Sequence, residues 1–355
     1  MRQHMNDSIN PIGTDGFEFV EFTSKEPEKL EALFLSLGFS AVGKHRSKDI
    51  IHFKQNDINF ILNREPNSQA AAFAGAHGPS ANAMAFRVKD ARHAINEAVK
   101  RGAKRIEGKV GPMELNIPAI EGIGGLIIYF VDRYDAQTIY EVDFHPIAGG
   151  HQPSCGLTYV DHLTHNVYRG NMAKWAEFYE RIFNFREIRY FDIEGKLTGL
   201  LSKAMTSPCG KIRIPINESQ DEKSQIEEFL HHYNGEGIQH IALGTDDIYR
   251  SVDVLRDHAI PFQTTPSSYY DKVDIRVKDH GEPLEELRAR NILIDGAPVE
   301  GTGILLQIFT QEAIGPIFFE IIQRKGNDGF GEGNFQALFE SIEEDQIRRG
   351  VLDRA

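Results

Sequence analysis

The sequence predicts an α+β protein made of two related halves, and three features of the chain point there. At roughly 100–200 residues per domain, 355 residues make two domains, or else one long α/β barrel. Segments with strand-like and helix-like patterns alternate along the whole length. The two halves also repeat one pattern: His77-Gly78 opens a run ending at Asp90 and a helix, and Asn234-Gly235 opens a run ending at Asp246-Asp247 and a helix. Gly78 and Gly235 are separated by 235 − 78 = 157 positions, and Asp90 and Asp247 by 247 − 90 = 157, as a duplication would leave them.

Taken in order, residues 17–23 read as a strand. Leu30, Leu33, Phe34 and Leu37 follow helical spacing, with Gly38 as the stop. Residues 50–62 read as one strand. Asp90 caps a helix that has Ile95, Ala98 and Val99 on one face and ends at Gly102. Residues 125–131 form a strand, and the polar, turn-rich stretch 149–153 marks the boundary between halves. The second half begins with a strand at 160–167 and a helix after Asn171 that carries Met172, Trp175, Phe178, Tyr179 and Ile182. Strands follow at 212–216 and 238–243, then a helix with Ile248, Val252 and Leu255, then strands at 304–309 and 317–322. Asn334 is read as the cap of a last helix, 334–349, carrying Phe335, Leu338, Phe339 and Ile342. The expected organisation is a flexible start (1–10), an N-terminal domain (11–150) and a C-terminal domain (151–355).

Composition narrows the possible partners. Hydrophobic residues are 41% and aromatics 10%, enough for a substantial core and too many for a disordered chain. Asp+Glu (52) outnumber Lys+Arg (39), for a net charge of −13, which argues against nucleic acid or an anionic membrane as partner. Two cysteines, Cys155 and Cys209, cannot build a zinc ribbon or a disulfide framework. Residues 1–13 are polar and lack the apolar core of an export signal, and no apolar stretch approaches the ~20 residues of a bilayer span. A soluble, cytoplasmic protein with reduced thiols is expected.

Chemistry concentrates in the second half. His162, His240 and Glu320 each sit in an expected strand. A carboxylate within Ile-Phe-Phe-Glu-Ile-Ile needs a partner, since an ionised Glu buried alone costs several kcal/mol or becomes protonated. A metal cation is such a partner, and two imidazoles plus one carboxylate are the facial triad of non-haem Fe(II) oxygenases. The intervals 240 − 162 = 78 and 320 − 240 = 80 are nearly equal, as related modules supplying successive ligands would give. Aligning the halves puts Ala83 opposite His240, Phe130 opposite Glu320, and the His-free stretch 16–19 opposite 161–165. The second half is therefore expected to hold the chemistry. His165 rivals His162, because three residues apart on a strand they face opposite sides. Zinc is compatible with the same ligand types. The Gly-rich stretch 329–333 (GFGEG) lacks the Gly-Lys-Ser/Thr of a phosphate loop and reads as a hinge before the last helix.

The segments VDHLTHNV (160–167), KIRIPINE (211–218), NGEGIQHIAL (234–243), LLQIFT (305–310), FFEIIQR (318–324) and GFGEGNFQALFESIE (329–343) resemble, in the same order, those of the 4-hydroxyphenylpyruvate dioxygenase family of the vicinal oxygen chelate superfamily. The resemblance implies paired βαβββ modules that curl into two open barrels, the first degenerate. It implies Fe(II) held by His162, His240 and Glu320 in the second barrel, which selects His162 over His165 and iron over zinc. It further implies a substrate pocket of Ser202, Asn217, Gln225, Gln239, Gln307, Phe309, Phe318, Phe330, Asn334, Phe335 and Leu338, with the last helix over the entrance. Strand alternation places Asn217 with Arg213 and Pro215, opposite Ile212, Ile214 and Ile216. Gln239 adjoins His240 and needs a bulge to share its side. The implied reaction takes 4-hydroxyphenylpyruvate and O2 to homogentisate and CO2, in tyrosine catabolism, by a homodimer or homotetramer. The alternatives are 4-hydroxymandelate synthase, acting on the same substrate, and a non-catalytic binding protein of the same fold.

Overall fold

The structure, a computed structural model, describes residues 9–108, 111, 113–149, 152–194, 199–220 and 224–337, with only the backbone at 193, 194 and 199. The strands of the first sheet are β1 (Thr14–Thr23), β2 (Ser40–His45), β3 (Ile50–Gln55), β4 (Ile58–Asn63), β5 (Ser80–Val88), β6 (Arg105–Ile106), β7 (Ala119–Glu121), β8 (Ile127–Val131) and β9 (Phe144–Pro146). The second sheet contains β10 (Leu157–Val167), β11 (Arg186–Glu194), β12 (Gly199–Thr206), β13 (Arg213–Ser219), β14 (Gly237–Thr245), β15 (Leu293–Gly296), β16 (Ile304–Phe309) and β17 (Phe318–Lys325). The sheet orders are β6-β7-β8-β5-β1-β4-β3-β2-β9 and β11-β12-β13-β10-β14-β17-β16-β15.

Apart from β9, the second order is the first read backwards, strand for strand. Each half holds two modules of strand, helix and three strands, joined where the leading strands pair antiparallel, β1 with β5 and β10 with β14. Within each module the last strand lies parallel to the first: β4 beside β1, β8 beside β5, β13 beside β10 and β17 beside β14. The expected paired βαβββ modules are what the chain forms.

Local sequence explains the elements. Asp90 and Asp247 accept from the backbone N–H groups of His93 and Arg250, capping Ala91–Lys100 and Ile248–Asp257 at the two duplicated positions. The span 50–62 folds as the hairpin of β3 and β4, not as one strand, because Asn56-Asp57 makes the turn. Asn56 takes φ 49°, which asparagine tolerates well. Asn171 does not cap Met172–Phe183 with its side chain, which donates to Glu236 instead; Glu218 Oε2 receives the Met172 N–H. The last helix is in place by residue 332, so Asn334 lies inside it.

The convex sides of both sheets share one core. Phe22, Phe34, Phe39, Phe53 and Phe60 are fully buried, and Phe60 stacks on Phe319 of the second half at 6.1 Å. Each such phenyl ring stabilises by about 1.5–3 kcal/mol, and Phe60 and Phe319 contribute part of theirs to holding the halves together. Among the described residues no helix is long and apolar enough to cross a membrane.

One buried group in the first half makes stability depend on acid. His52 stacks on Tyr140 at 3.8 Å and bonds Asn59, and burial lowers its pKa to about 4. The unfolded chain protonates this histidine first as pH falls below its ordinary value of 6.5, so stability present above that value is lost towards pH 4. Between pH 8 and 5 the loss from His52 is about 2 kcal/mol. In urea denaturation at both pH values, His52→Gln should shrink the acid-dependent loss by that amount; an unchanged loss would refute the assignment.

Candidate metal centre

Two β-bulges shape the concave side of the second sheet. On β10, Val160 pairs with Leu243 and His162 with Ala242, leaving Asp161 as the extra residue. On β14, Thr164 pairs with His240 and His165 with Ile238, leaving Gln239 as the extra residue. Strict alternation would turn Asp161 and Gln239 away from the histidines that follow them, and the bulges cancel that alternation locally. Each then bonds its own neighbour: His162 Nδ1 donates to Asp161 Oδ1 at 2.8 Å, and His240 Nδ1 donates to Gln239 Oε1 at 2.9 Å. With both Nδ1 atoms so engaged, both Nε2 atoms are left for the cavity.

Glu320 arrives on β17, beside Ala242 of β14. Its Oε1 receives a hydrogen bond from Gln307 Nε2 at 2.9 Å. Its Oε2 lies 3.1 Å from His162 Nε2 and 3.4 Å from His240 Nε2, while the two Nε2 atoms are 3.3 Å apart. Ligands about 2.1 Å from one ion at adjacent corners stand ~3 Å from each other, so the triangle fits a single cation. All three side chains are buried and form the one metal-ligating group of this kind among the described residues. Two Nε2 atoms beside a buried carboxylate are a donor set that a cation satisfies, taking the place of the proton shared between His162 and Glu320.

The electrostatics agree. Burial opposes charge on Glu320, yet the facing His162 and His240 bring its pKa down to about 2. Burial likewise opposes charge on His162, but Glu320 and Asp161 hold it above the ordinary histidine range; His240 is pushed below that range by burial. His165 is on the opposite side, its Nε2 bonded to the Tyr179 hydroxyl at 2.7 Å, and burial lowers its pKa to about 3.

A cavity of about 40 Å³ lies over the triad. Of the residues expected there, Ser202, Asn217, Gln307, Phe309, Phe330 and Phe335 line it. Strands β10, β12, β13, β14, β16 and β17 all reach this one cavity, which requires the sheet to curl. Phe330 stands edge-on to His162 at 5.3 Å. The structure places other expected residues elsewhere. Gln225 is exposed in the first turn of helix Gln225–Tyr233, and it lines a neighbouring groove together with Gln239 and Phe318. Phe318 stacks on His240 at 5.0 Å from that side. Asn334 sits behind the cavity, donating to Gln307 Oε1 and accepting from the Tyr269 hydroxyl. Leu338 and the rest of 338–349 lie outside the described residues.

Pro215 lines the cavity on the face it was expected to share with Asn217. Sequence reasoning missed Thr164, whose hydroxyl is 2.9 Å from His240 Nε2, and the apolar liners Phe191 and Leu200. It also missed Asp161 and Arg324. Their signal was present, since each is a charge in a strand otherwise buried, the same argument that singled out Glu320.

The first half shows what stands at the same positions in place of the ligands. Register equates Phe19 with His162, because they pair with Ala85 and Ala242, and equates Ala83 with His240. Tyr129 pairs with Ala85 as Glu320 pairs with Ala242, so Tyr129, not Phe130, is the counterpart of Glu320. The one-residue slip matters because it exchanges faces: Phe130 belongs to the shared core, while Tyr129 packs on Phe19 at 5.7 Å.

This fold and site define a protein of the vicinal oxygen chelate type, with the His/His/Glu group in one barrel and its positions replaced in the other. Residues 159–282 match the family described as Glyoxalase/Bleomycin resistance protein/Dioxygenase superfamily, and residues 9–145 match that described as Hydroxyphenylpyruvate dioxygenase, HPPD, N-terminal. The chain is 65% identical to the 4-hydroxyphenylpyruvate dioxygenase of Pseudomonas aeruginosa over 97% of each chain. It is 64% identical, over 99% of its length and 100% of the other, to a Vibrio vulnificus protein called Hemolysin VllY. Among solved structures, a mutant of 4-hydroxymandelate synthase from Streptomyces coelicolor superposes with a TM-score of 0.81 at 25% identity, covering 94% of this chain and 99% of that one. The chain belongs to the 4-hydroxyphenylpyruvate dioxygenase family.

The two histidines of β10 can be told apart by experiment. Glu320→Ala should lose Fe(II) and Co(II) binding in equilibrium dialysis. His165→Ala should keep it while costing roughly 1–3 kcal/mol of stability through the orphaned Tyr179 hydroxyl. Equal metal loss in both variants would reject the ligand set.

Proposed function

We propose that the chain is an Fe(II)-dependent dioxygenase that converts 4-hydroxyphenylpyruvate and O2 to homogentisate and CO2. The carrying observation is the triad: three ligand atoms converge while the remaining polar atom of each ligand is tied to the protein. Membership of the family supports the substrate. The reaction balances without an external reductant. The substrate's carboxylate leaves as CO2, one oxygen atom of O2 enters the new carboxylate and the other enters the ring hydroxyl. Oxidative decarboxylation supplies two electrons and ring hydroxylation the other two.

Fe(II), when bound, supplies O2 activation and a place for the 2-oxo acid to chelate. The chain's residues do the rest. Asp161, Gln239 and Gln307 fix the ligands before anything binds, so little reorganisation remains for the reaction. Leu200, Pro215, Phe309, Phe330 and Phe335 wall the cavity with apolar surface and keep water from it. Ser202 and Asn217 present polar groups on the same wall, suited to orienting the phenol end of the substrate. Gln307 is committed twice, to Glu320 and to Asn334, so its part is to hold the carboxylate. A cavity of about 40 Å³ is small beside the ~300 Å³ and more of ordinary ligand pockets. Admission of an arylpyruvate therefore requires the segment with Phe330, Glu332 and Phe335 to shift, and Gly329, Gly331 and Gly333 give it the freedom to do so. The enzyme is further proposed to act in the cytoplasm as a homodimer or homotetramer.

Benzylic hydroxylation to 4-hydroxymandelate is the rival outcome, since a 4-hydroxymandelate synthase shares the fold. Identity of 65% to a dioxygenase against 25% to that synthase favours ring chemistry. Anaerobic loading with Fe(II), addition of 4-hydroxyphenylpyruvate and O2, and mass spectrometry of the product decide it. Homogentisate is expected; 4-hydroxymandelate, or no O2 uptake by fully loaded protein, would overturn the proposal.

A further inference from the structure

Arg324 connects two parts of the second half that the reaction must coordinate. It is on β17, four residues after Glu320, and most of its side chain is buried. Its Nε and Nη2 donate to Asp161 Oδ2 and Oδ1 at 2.7 and 2.8 Å, a two-point pairing of guanidinium and carboxylate. Asp161 Oδ1 is the same atom that receives the His162 Nδ1–H. The remaining nitrogen, Nη1, donates to the carbonyl oxygens of Asn327 and Gly329 at 3.0 and 2.7 Å. Its guanidinium also lies 5.7 Å from the centre of the Phe330 ring, which in turn stands edge-on to His162. One side chain thus touches the group that orients a metal ligand and the turn that launches the segment covering the cavity.

The first half provides an internal comparison. Glu18 is at the bulge of β1, the position Asp161 holds on β10, and it too is paired with an arginine, Arg87. A bulge acid with an arginine is therefore common to both halves and by itself is structural. Arg87, however, comes from β5 and continues to Asp57. Among the described residues it meets the segment after β8 only through the Tyr134 ring, 5.5 Å from its guanidinium, with no hydrogen bond from it to a backbone carbonyl there. The residue after Glu18 is Phe19, whose side chain has no N–H to offer it. Only in the second half is the arginine on the strand of a metal ligand, with the acid on a histidine and the turn on its other edge.

We propose that Arg324 is a positioning residue that couples His162, through Asp161, to the turn 327–330, so that metal binding orders the segment covering the site. The inference rests on the metal-centre reading above. A cation on Nε2 makes the Nδ1–H of His162 a stronger donor, which tightens Asp161 and, through it, the guanidinium that holds the two carbonyls. Coupling of this kind is reciprocal, so a loosened turn weakens metal binding by the same factor.

The test uses the full chain with Co(II) as probe: wild type, Arg324→Lys, Asp161→Asn, and Glu320→Ala as the control for the centre itself. Lysine keeps the positive charge but cannot span both the carboxylate and the two carbonyls. In wild type, Co(II) should slow amide hydrogen exchange in peptides covering 326–331. In Arg324→Lys that slowing should vanish, Co(II) affinity should fall roughly tenfold, and the Co(II) visible spectrum should keep its ligation bands at saturation. Asp161→Asn, whose amide oxygen can still accept from His162 but whose NH2 repels Arg324, should lose the slowing too, and it carries the test if Arg324→Lys does not fold. Affinity within twofold of wild type with the slowing intact in either folded variant overturns the coupling. Failure of wild type to bind Co(II), or binding undiminished in Glu320→Ala, overturns the metal centre and the inference with it.

Discussion

A carboxylate in the middle of a buried strand constrains everything around it. Glu320 is flanked by Phe319 and Ile321, both fully buried, and it cannot stay ionised there without cationic or hydrogen-bonding partners. Its two oxygens are treated differently: Oε1 takes a hydrogen bond from Gln307, and Oε2 faces two imidazole nitrogens. The imidazoles can face it without wavering because each has its other nitrogen bound by the residue just before it in sequence. That local arrangement needs a bulge before each histidine, and the bulges fall within one antiparallel pair, β10 and β14, at the seam between modules. The seam is thus where the fold departs from regular pairing and where it places its ligands.

Much of this was legible in the sequence for a plain reason. Metal ligands in a sheet are polar residues in apolar runs, and His240 and Glu320 stand out against Ile, Leu and Phe neighbours. The duplication was legible through Asp90 and Asp247, since N-caps are local. The alignment slipped by one residue at β8, because Tyr129-Phe130 and Phe319-Glu320 differ by a face and not by an evident motif. The position of Gln225 was not legible either, as a polar residue at the start of a helix gives no sign of which side of β14 it will occupy. The outer partners were hidden because their geometry depends on bulges, which arise from pairing between distant strands.

The closing segments of the two halves illustrate how one topology serves opposite ends. After β8 the chain turns into the short helix Ile139–Asp143, and Ile139 packs with Phe19 and Val131 over the first lumen. After β17 it turns into the helix at 332–337, and Phe330 and Phe335 close the second lumen from the same direction. In the first half the cover lies over aromatic counterparts of the ligands, Phe19 and Tyr129, beside a cavity of about 150 Å³ that holds Glu21 but none of the three ligand types in their register positions. In the second half the cavity beneath the cover is smaller, about 40 Å³, and is lined by the three ligands with Ser202 and Asn217.

Both lumens contain a buried carboxylate, and the contrast between them separates a ligand from a filler. Glu21, the register counterpart of Thr164, accepts hydrogen bonds from the amides of Asn63 and Asn82. Burial dominates there and raises its pKa, since amide donors only partly offset the lost hydration. Glu320 is as deeply buried, but its neighbours can become cationic, and its pKa falls to about 2. A carboxylate answered by amides drifts towards the neutral acid and serves as a hydrogen-bonding wedge. A carboxylate answered by imidazoles keeps its charge, and a site that keeps a buried negative charge beside two positioned imidazole nitrogens is built for a cation. Three ligand positions separate the two barrels, with Phe19, Ala83 and Tyr129 standing where the other half has His162, His240 and Glu320.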